Sequence, residues 1–174
     1  MRKYFVNGLL CLFLGACRPA TPVKTSAGTG FDLKGYISRE AGRLQSAGPL
    51  ITKTVVVNGS AEQRKLKITD WQKELAVFAD ADINKPAWKG LFALHKDSTL
   101  ETYVSANEKV PVKSLRIFYR AGKVRGLEVL IRNANTLYTS GDTLRYFPDS
   151  LYQISKTQHI RLMNEKKYLI TGKF

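Results

Sequence analysis

Apolar positions change their period along this chain, and the changes mark its elements. Leu33, Tyr36, Ile37, Ala41 and Leu44 recur at helical spacing, with Lys34, Arg39, Glu40 and Arg43 mostly elsewhere. That pattern predicts an amphipathic helix beginning near Asp32, and Gly48-Pro49 stops it. Residues 51–57 and 60–68 are β-rich and separated by Asn58-Gly59. This dipeptide suits a two-residue hairpin turn, whose central positions both need positive φ. The turn sets Val57 opposite Ser60 and Ile51 opposite Leu66. Next, Thr69-Asp70-Trp71-Gln72 resembles a capping box, with Thr69 as the cap and Gln72 reaching back. The second helix it opens buries Trp71, Leu75, Phe78 and Ala79 and ends before Pro86, around Ile83.

From residue 91 onward the period is two, over 91–96, 99–106, 112–120, 124–133, 136–139, 143–147, 151–163 and 167–173. Short connections make this an antiparallel meander rather than a βαβ series. Matching odd positions to odd requires a three-residue loop at 121–123. That loop pairs Ile117 with Leu127 and Leu115 with Val129, sets Arg116 against Glu128, and lays Phe118 over Gly126. A loop at 164–166 likewise brings Leu162 opposite Tyr168 and Ile160 opposite Ile170. The second face of the strands still carries Phe118, Val124, Leu130 and Phe147, so part of it is expected to be covered or curled inward. The fold class is α+β: two helices packed on a long, strongly curved antiparallel β-meander of about ten strands.

The N-terminus follows neither period. Arg2 and Lys3 precede an apolar stretch from Phe5 to Leu14, which is the layout of a secretory signal and is shorter than the roughly 20 residues of a membrane span. Leu14-Gly15-Ala16-Cys17 resembles a bacterial lipobox. The resemblance implies that the Cys17 thiol carries lipid and that Cys17 is the first mature residue. The domains expected are a signal peptide over 1–16, a lipidated Cys and flexible tether over 17–30, and one globular domain over 31–174. The tether (Arg18 onward) is rich in Pro, Thr, Ser, Ala and Gly, and thirteen such residues reach about 40 Å when extended. Arg18 stands where enteric lipoproteins retained in the inner membrane carry Asp. By that resemblance the anchor points to the outer membrane, facing the periplasm. Cys11 falls in the discarded segment and Cys17 is blocked, so the mature domain is expected to have no disulfide and no Cys-based metal site.

Charge then narrows the partners. The net charge is +14, or +12 without Arg2 and Lys3. Residues 109–174 hold thirteen Lys/Arg against Glu128, Asp142, Asp149 and Glu165. One reading is a surface that attracts phospholipid head groups, an anionic polymer or an acidic envelope protein. The other is single solvent-facing cations that keep strands soluble and guard sheet edges. Nucleic acid is excluded as a partner by the exported setting.

Candidate chemistry is sparse. His95 and His159 lie in separate strands without metal spacing, and neither GxSxG nor SxxK occurs. Asp80-Ala81-Asp82-Ile83-Asn84 opens like a calcium loop but fails at Lys85 and Leu91. Trp71 and Trp88 read as core rather than as a ligand groove. The alternation of Tyr168, Ile170 and Phe174 resembles the closing strand of outer-membrane barrels, against which the two helices argue. The segments Phe31-Asp32-Leu33-Lys34-Gly35-Tyr36, Ala81 to Trp88, Phe147 to Tyr152 and Ile170 to Phe174 resemble an uncharacterised family of small bacterial lipoproteins, which supplies no activity or site residues. The expectation is a membrane-anchored periplasmic lipoprotein with a non-enzymatic binding role, and Cys17 as its only assigned site. The alternatives are a carrier for a hydrophobic ligand held between sheet and helices, and an enzyme of unrecognised type. No catalytic, cofactor or metal residue is assigned.

Overall fold

The structure, a computed structural model, describes residues 30–174; the signal segment, Cys17 and the tether up to Thr29 lie outside the described residues. Helix α1 (Leu33–Ala47) forms where the apolar spacing places it, burying Leu33, Ile37, Ala41 and Leu44. The Asp32 carboxylate caps it by accepting the Gly35 N–H at 2.8 Å, and Gly48 ends it in the left-handed region at φ 55°. Strands β1 (Leu50–Val57) and β2 (Ser60–Lys67) pair as expected, Val57 with Ser60 and Ile51 with Leu66.

The second helix departs from expectation. It breaks at Leu75 into α2 (Trp71–Glu74) and α3 (Ala76–Asp80), with Trp71, Leu75 and Phe78 all fully buried. Its cap is Asp70, not Thr69: the Asp70 carboxylate accepts the Lys73 N–H at 2.9 Å. Gln72 does not reach back. Its amide donates to the Ser38 carbonyl at 3.1 Å and so ties α2 to α1.

The remaining strands are β3 (Ala93–Lys96), β4 (Leu100–Val104), β5 (Val112–Arg120), β6 (Lys123–Ala134), β7 (Tyr138–Phe147), β8 (Leu151–Ile160) and β9 (Lys166–Lys173). They form one antiparallel sheet in the order β2-β1-β9-β8-β7-β6-β5-β4-β3. The count is nine because 136–139 and 143–147 belong to one strand. Gly141-Asp142, which has the composition of a turn, is extended within β7 and pairs with β6 on both sides. The sheet is open, with β2 and β3 as edges, and is neither closed nor strongly curled. Its second face needs no curling to shelter its aromatic groups. Phe118 and Phe147 stack on each other (6.2 Å, 23°), and the Arg116 guanidinium lies over Phe118 at 5.3 Å.

The β5–β6 hairpin keeps all four expected pairs but by another route. Its turn has two residues, Ala121 (φ 50°) and Gly122 (φ 73°), and a bulge between Phe118 and Tyr119 absorbs the extra residue. The bulge sends Val124 to the helix side, where it packs on the core with Tyr119. The ring over Gly126 belongs to Phe147 rather than Phe118. The β8–β9 register is a correction: Ile154 faces Ile170 and Lys156 faces Tyr168, six residues from the expected alignment. Parity was preserved, because it decides the face but not the loop length. Tyr152 opposite Gly172 marks the observed register, its ring occupying the space a Cβ there would need. Leu162, expected in a strand, has φ 68° and is 98% exposed.

The helices lie on one face of the sheet. Trp71, Phe78, Tyr146 and Tyr152 fill the space between the layers, with edge contacts between Trp71 and Tyr152 (6.2 Å) and between Phe78 and Tyr146 (6.1 Å).

Candidate functional site

Three carboxylates on the helix side are committed to bonds that join elements of the fold. Glu40 on α1 accepts the Tyr146 hydroxyl at 2.8 Å and the Arg43 guanidinium at 2.9 Å. Glu74 on α2 accepts the Tyr152 hydroxyl and Lys53 Nζ, the latter at 2.6 Å. Glu101 on β4 accepts the hydroxyls of Tyr103 and Tyr119 and Lys96 Nζ at 2.9 Å. Each cluster joins a carboxylate, one or two tyrosines and a cation. Burial works against ionisation of Glu101, yet the hydrogen bonds from Tyr103, Lys96 and Tyr119 outweigh it and hold its pKa below the usual carboxylate range. Burial, then the nearby Glu101 charge, pushes Tyr119 up to about 12. Tyr103, Tyr146 and Tyr152 are raised further, by burial first and their carboxylate partners second.

The acidic segment after α3 is also accounted for. Asn84 Nδ2 donates to the Phe31 carbonyl (2.9 Å) and to Asp82 (3.0 Å), while the Phe31 N–H donates to the Tyr103 hydroxyl (2.9 Å). Lys85 Nζ reaches the Asp80 carbonyl at 2.8 Å and sits 4.4 Å from the Trp88 ring centroid. These residues pin the start of the domain against β4. Among the described residues no group of three His, Cys, Asp or Glu could hold a metal ion.

The opposite face is different, and among the described residues no helix packs on it. Strand register places His95, Thr102, Arg116, Glu128, Arg145, Gln153, Thr171, Thr54 and Gln63 in one row crossing all nine strands. Hydrogen bonds run along its middle. Arg116 and Arg145 both contact Glu128 (3.4 and 2.7 Å), Arg145 reaches Gln153 (3.1 Å), and Gln153 reaches Thr171 (3.4 Å). The expected Arg116–Glu128 pair is thus present, with Arg145 as the closer partner.

Nearer the β6–β7 turn, the same face dips into a groove of 420 Å³ lined by Arg132, Thr139, Ser140, Gly141, Thr143, Ser155, Thr157, His159 and Glu165. Gly141 forms its floor. In register, Arg132 and Thr157 flank Gly141 on β6 and β8, and alternation puts Thr139 and Thr143 on the same face. The Arg132 guanidinium leans over the glycine, with Nη1 2.6 Å from where a Cβ would stand, and donates to the Ile131 carbonyl at 3.0 Å. Among the described residues Arg132 has no carboxylate within ion-pairing distance, whereas Glu165 pairs with Lys167 at 3.0 Å. A guanidinium, an imidazole and several hydroxyls around one floor favour an anionic, oxygen-rich ligand.

Of the residues singled out in the sequence, His159 lines this groove, whereas His95 is exposed on the short edge strand β3. Trp71 is core, and Trp88 is partly exposed. Cys17 lies outside the described residues. Arg132, Gly141 and the hydroxyl rows were not picked out. Their only signal is alternating Thr139-Gly141-Thr143 and Ser155-Thr157-His159, which means little until register makes the two strands neighbours. No family model, curated protein or solved structure matches this chain.

Proposed function

We propose that this chain is a lipid-anchored protein of a bacterial envelope that binds an anionic polymer, without catalysis, through the open face of its sheet. The observation that carries the reading is the Gly141 groove, where Arg132 has no ion-pair partner among the described residues and lies beside Thr139, Thr143, Ser155, Thr157 and His159. The Cys17 anchor, proposed from its lipobox resemblance, puts that groove within reach of envelope polymers. A carrier would need apolar space between the layers, and Trp71, Phe78, Tyr146 and Tyr152 occupy that space among the described residues. Glu40, Glu74 and Glu101 on the helix side are each engaged by tyrosine hydroxyls and a cation, which favours binding over catalysis.

The test is a titration of the membrane-extracted chain with a carboxylated polysaccharide, polygalacturonate, and with neutral dextran. Binding is expected for the first only and should weaken as salt rises. Arg132→Gln and Gly141→Val should each lower affinity about tenfold, the loss of one charge-assisted hydrogen bond, with the fold intact. Equal binding by both variants would remove the groove from the function. Separately, Cys17→Ser should release the protein from membranes, and unchanged membrane fractionation would refute the anchor.

A further inference from the structure

We infer that β2 is a self-association edge: two copies of this chain join β2 to β2 antiparallel, extending the sheet across a two-fold axis perpendicular to it. This is independent of the groove. Nearly every residue of β2 is exposed, along eight residues, whereas the other edge strand, β3, has only four. Asn58 N–H donates to the Lys167 carbonyl on β9, so in β1 the main-chain groups of odd residues point to β2. Their partners in β2 are even-numbered, which leaves the main-chain groups of Ala61, Gln63 and Lys65 pointing outward, without strand partners among the described residues.

A continuous sheet requires facing residues to lie on the same face, so allowed registers move in steps of two. With Gln63 opposite Gln63 of the second copy, Ala61 faces Lys65 and forms ladder bonds. Glu62 then faces Arg64 in the closer, non-hydrogen-bonded pairs, once on each side of the axis. Shifting the axis to residue 64 puts Arg64 against Arg64, and shifting it to 62 puts Glu62 against Glu62. Charges on edge strands usually prevent pairing. Here one register turns them into reciprocal attractions and its two neighbours are repulsive, so the strand selects a single symmetric partner. Glu62 and Arg64 already touch within one copy and are both largely exposed, so little surface must be rearranged.

Sedimentation velocity of the detergent-extracted full-length chain tests this. The wild type should dimerise with rising concentration. Glu62→Arg should weaken dimerisation about tenfold or more, since both pairs of residues 62 and 64 become like-charged, and Glu62→Arg/Arg64→Glu should restore it. Both sites are exposed, so neither variant threatens the fold. Register is read by oxidation. Gln63→Cys should give a disulfide-linked dimer, its Cα atoms about 5.5 Å apart. Lys65→Cys should not, being separated by about 13 Å or more. A wild type that stays monomeric, a dimer indifferent to Glu62→Arg, or crosslinking by Lys65→Cys in place of Gln63→Cys would overturn the inference.

Discussion

Gly172, near the end of β9, and Gly141, within β7, lie on opposite faces of one sheet and do opposite work. On the helix face the space at Gly172 is taken by the Tyr152 ring, which is fully buried and bonded through its hydroxyl to Glu74. On the open face the space at Gly141 is overhung by the exposed guanidinium of Arg132. The same contrast runs through the charged residues. Glu40 and Glu74 are spent on tyrosines and cations that clamp helices to strands, and Glu101 on those that join β3, β4 and β5. At the groove Arg132 is exposed and has no ion-pair partner among the described residues, whereas Glu165 pairs with Lys167. At these two positions a missing side chain means close packing on one face and a recess on the other. Strand sequence alone does not distinguish the two.

The sharpest way to break the helix face is at Glu101. Glu101→Ala removes the acceptor of two tyrosine hydroxyls and a lysine, and it should cost about 3 kcal/mol of stability by urea denaturation at pH 7. The pH dependence follows from the depressed pKa. Glu101 contributes its full stabilisation above the unfolded-state carboxylate pKa, and the contribution is lost as pH falls through the lower folded value. The gap between wild type and variant should therefore be constant near neutrality and shrink in acid. A gap independent of pH would mean that the Glu101 charge plays no part.

The two glycines give the next test. Gly172→Ala forces a methyl group against the pinned Tyr152 ring and should cost about 2 kcal/mol. Gly141→Ala meets only the end of a flexible arginine and should change stability by less than about 0.5 kcal/mol. If both variants lose stability equally, the Arg132 overhang is as rigid as the core and the groove is not a recess open to ligand.

How much of this was legible in the sequence depends on range. Helix α1, the Asn58-Gly59 hairpin and the pairing of Ile117 with Leu127 were readable because a cap, a turn dipeptide or face parity specifies each locally. The β8–β9 alignment was not, because parity is satisfied equally by registers two, four or six residues apart. A turn-like Gly-Asp in the middle of β7 hid a continuous strand. The groove was invisible for the same reason. Its residues come from three strands and the β8–β9 loop, and only the register brings Arg132, Gly141 and Thr157 side by side.

Asp142 offers a small but discriminating effect, because it faces the helix side yet lies outside its clusters. Its Oδ1 is buried without a hydrogen-bond partner among the described residues, and Oδ2 is 3.8 Å from Lys156 Nζ. Burial raises its pKa, only partly offset by the Lys156 and Arg132 charges. For an acid with a raised folded pKa the sign is opposite to that at Glu101. The folded state resists losing the proton, so a stability penalty grows as pH rises through the ordinary carboxylate value and is complete above the folded one. Asp142→Asn removes that charge and should stabilise the domain by up to about 1 kcal/mol at pH 7, with the gain vanishing below the usual carboxylate range. Urea midpoints of both proteins at the two pH values check this. A loss at neutral pH would make Lys156–Asp142 a fourth clamp like the other three. A gain would mark Asp142 as the point where the helix-side pattern of satisfied carboxylates ends.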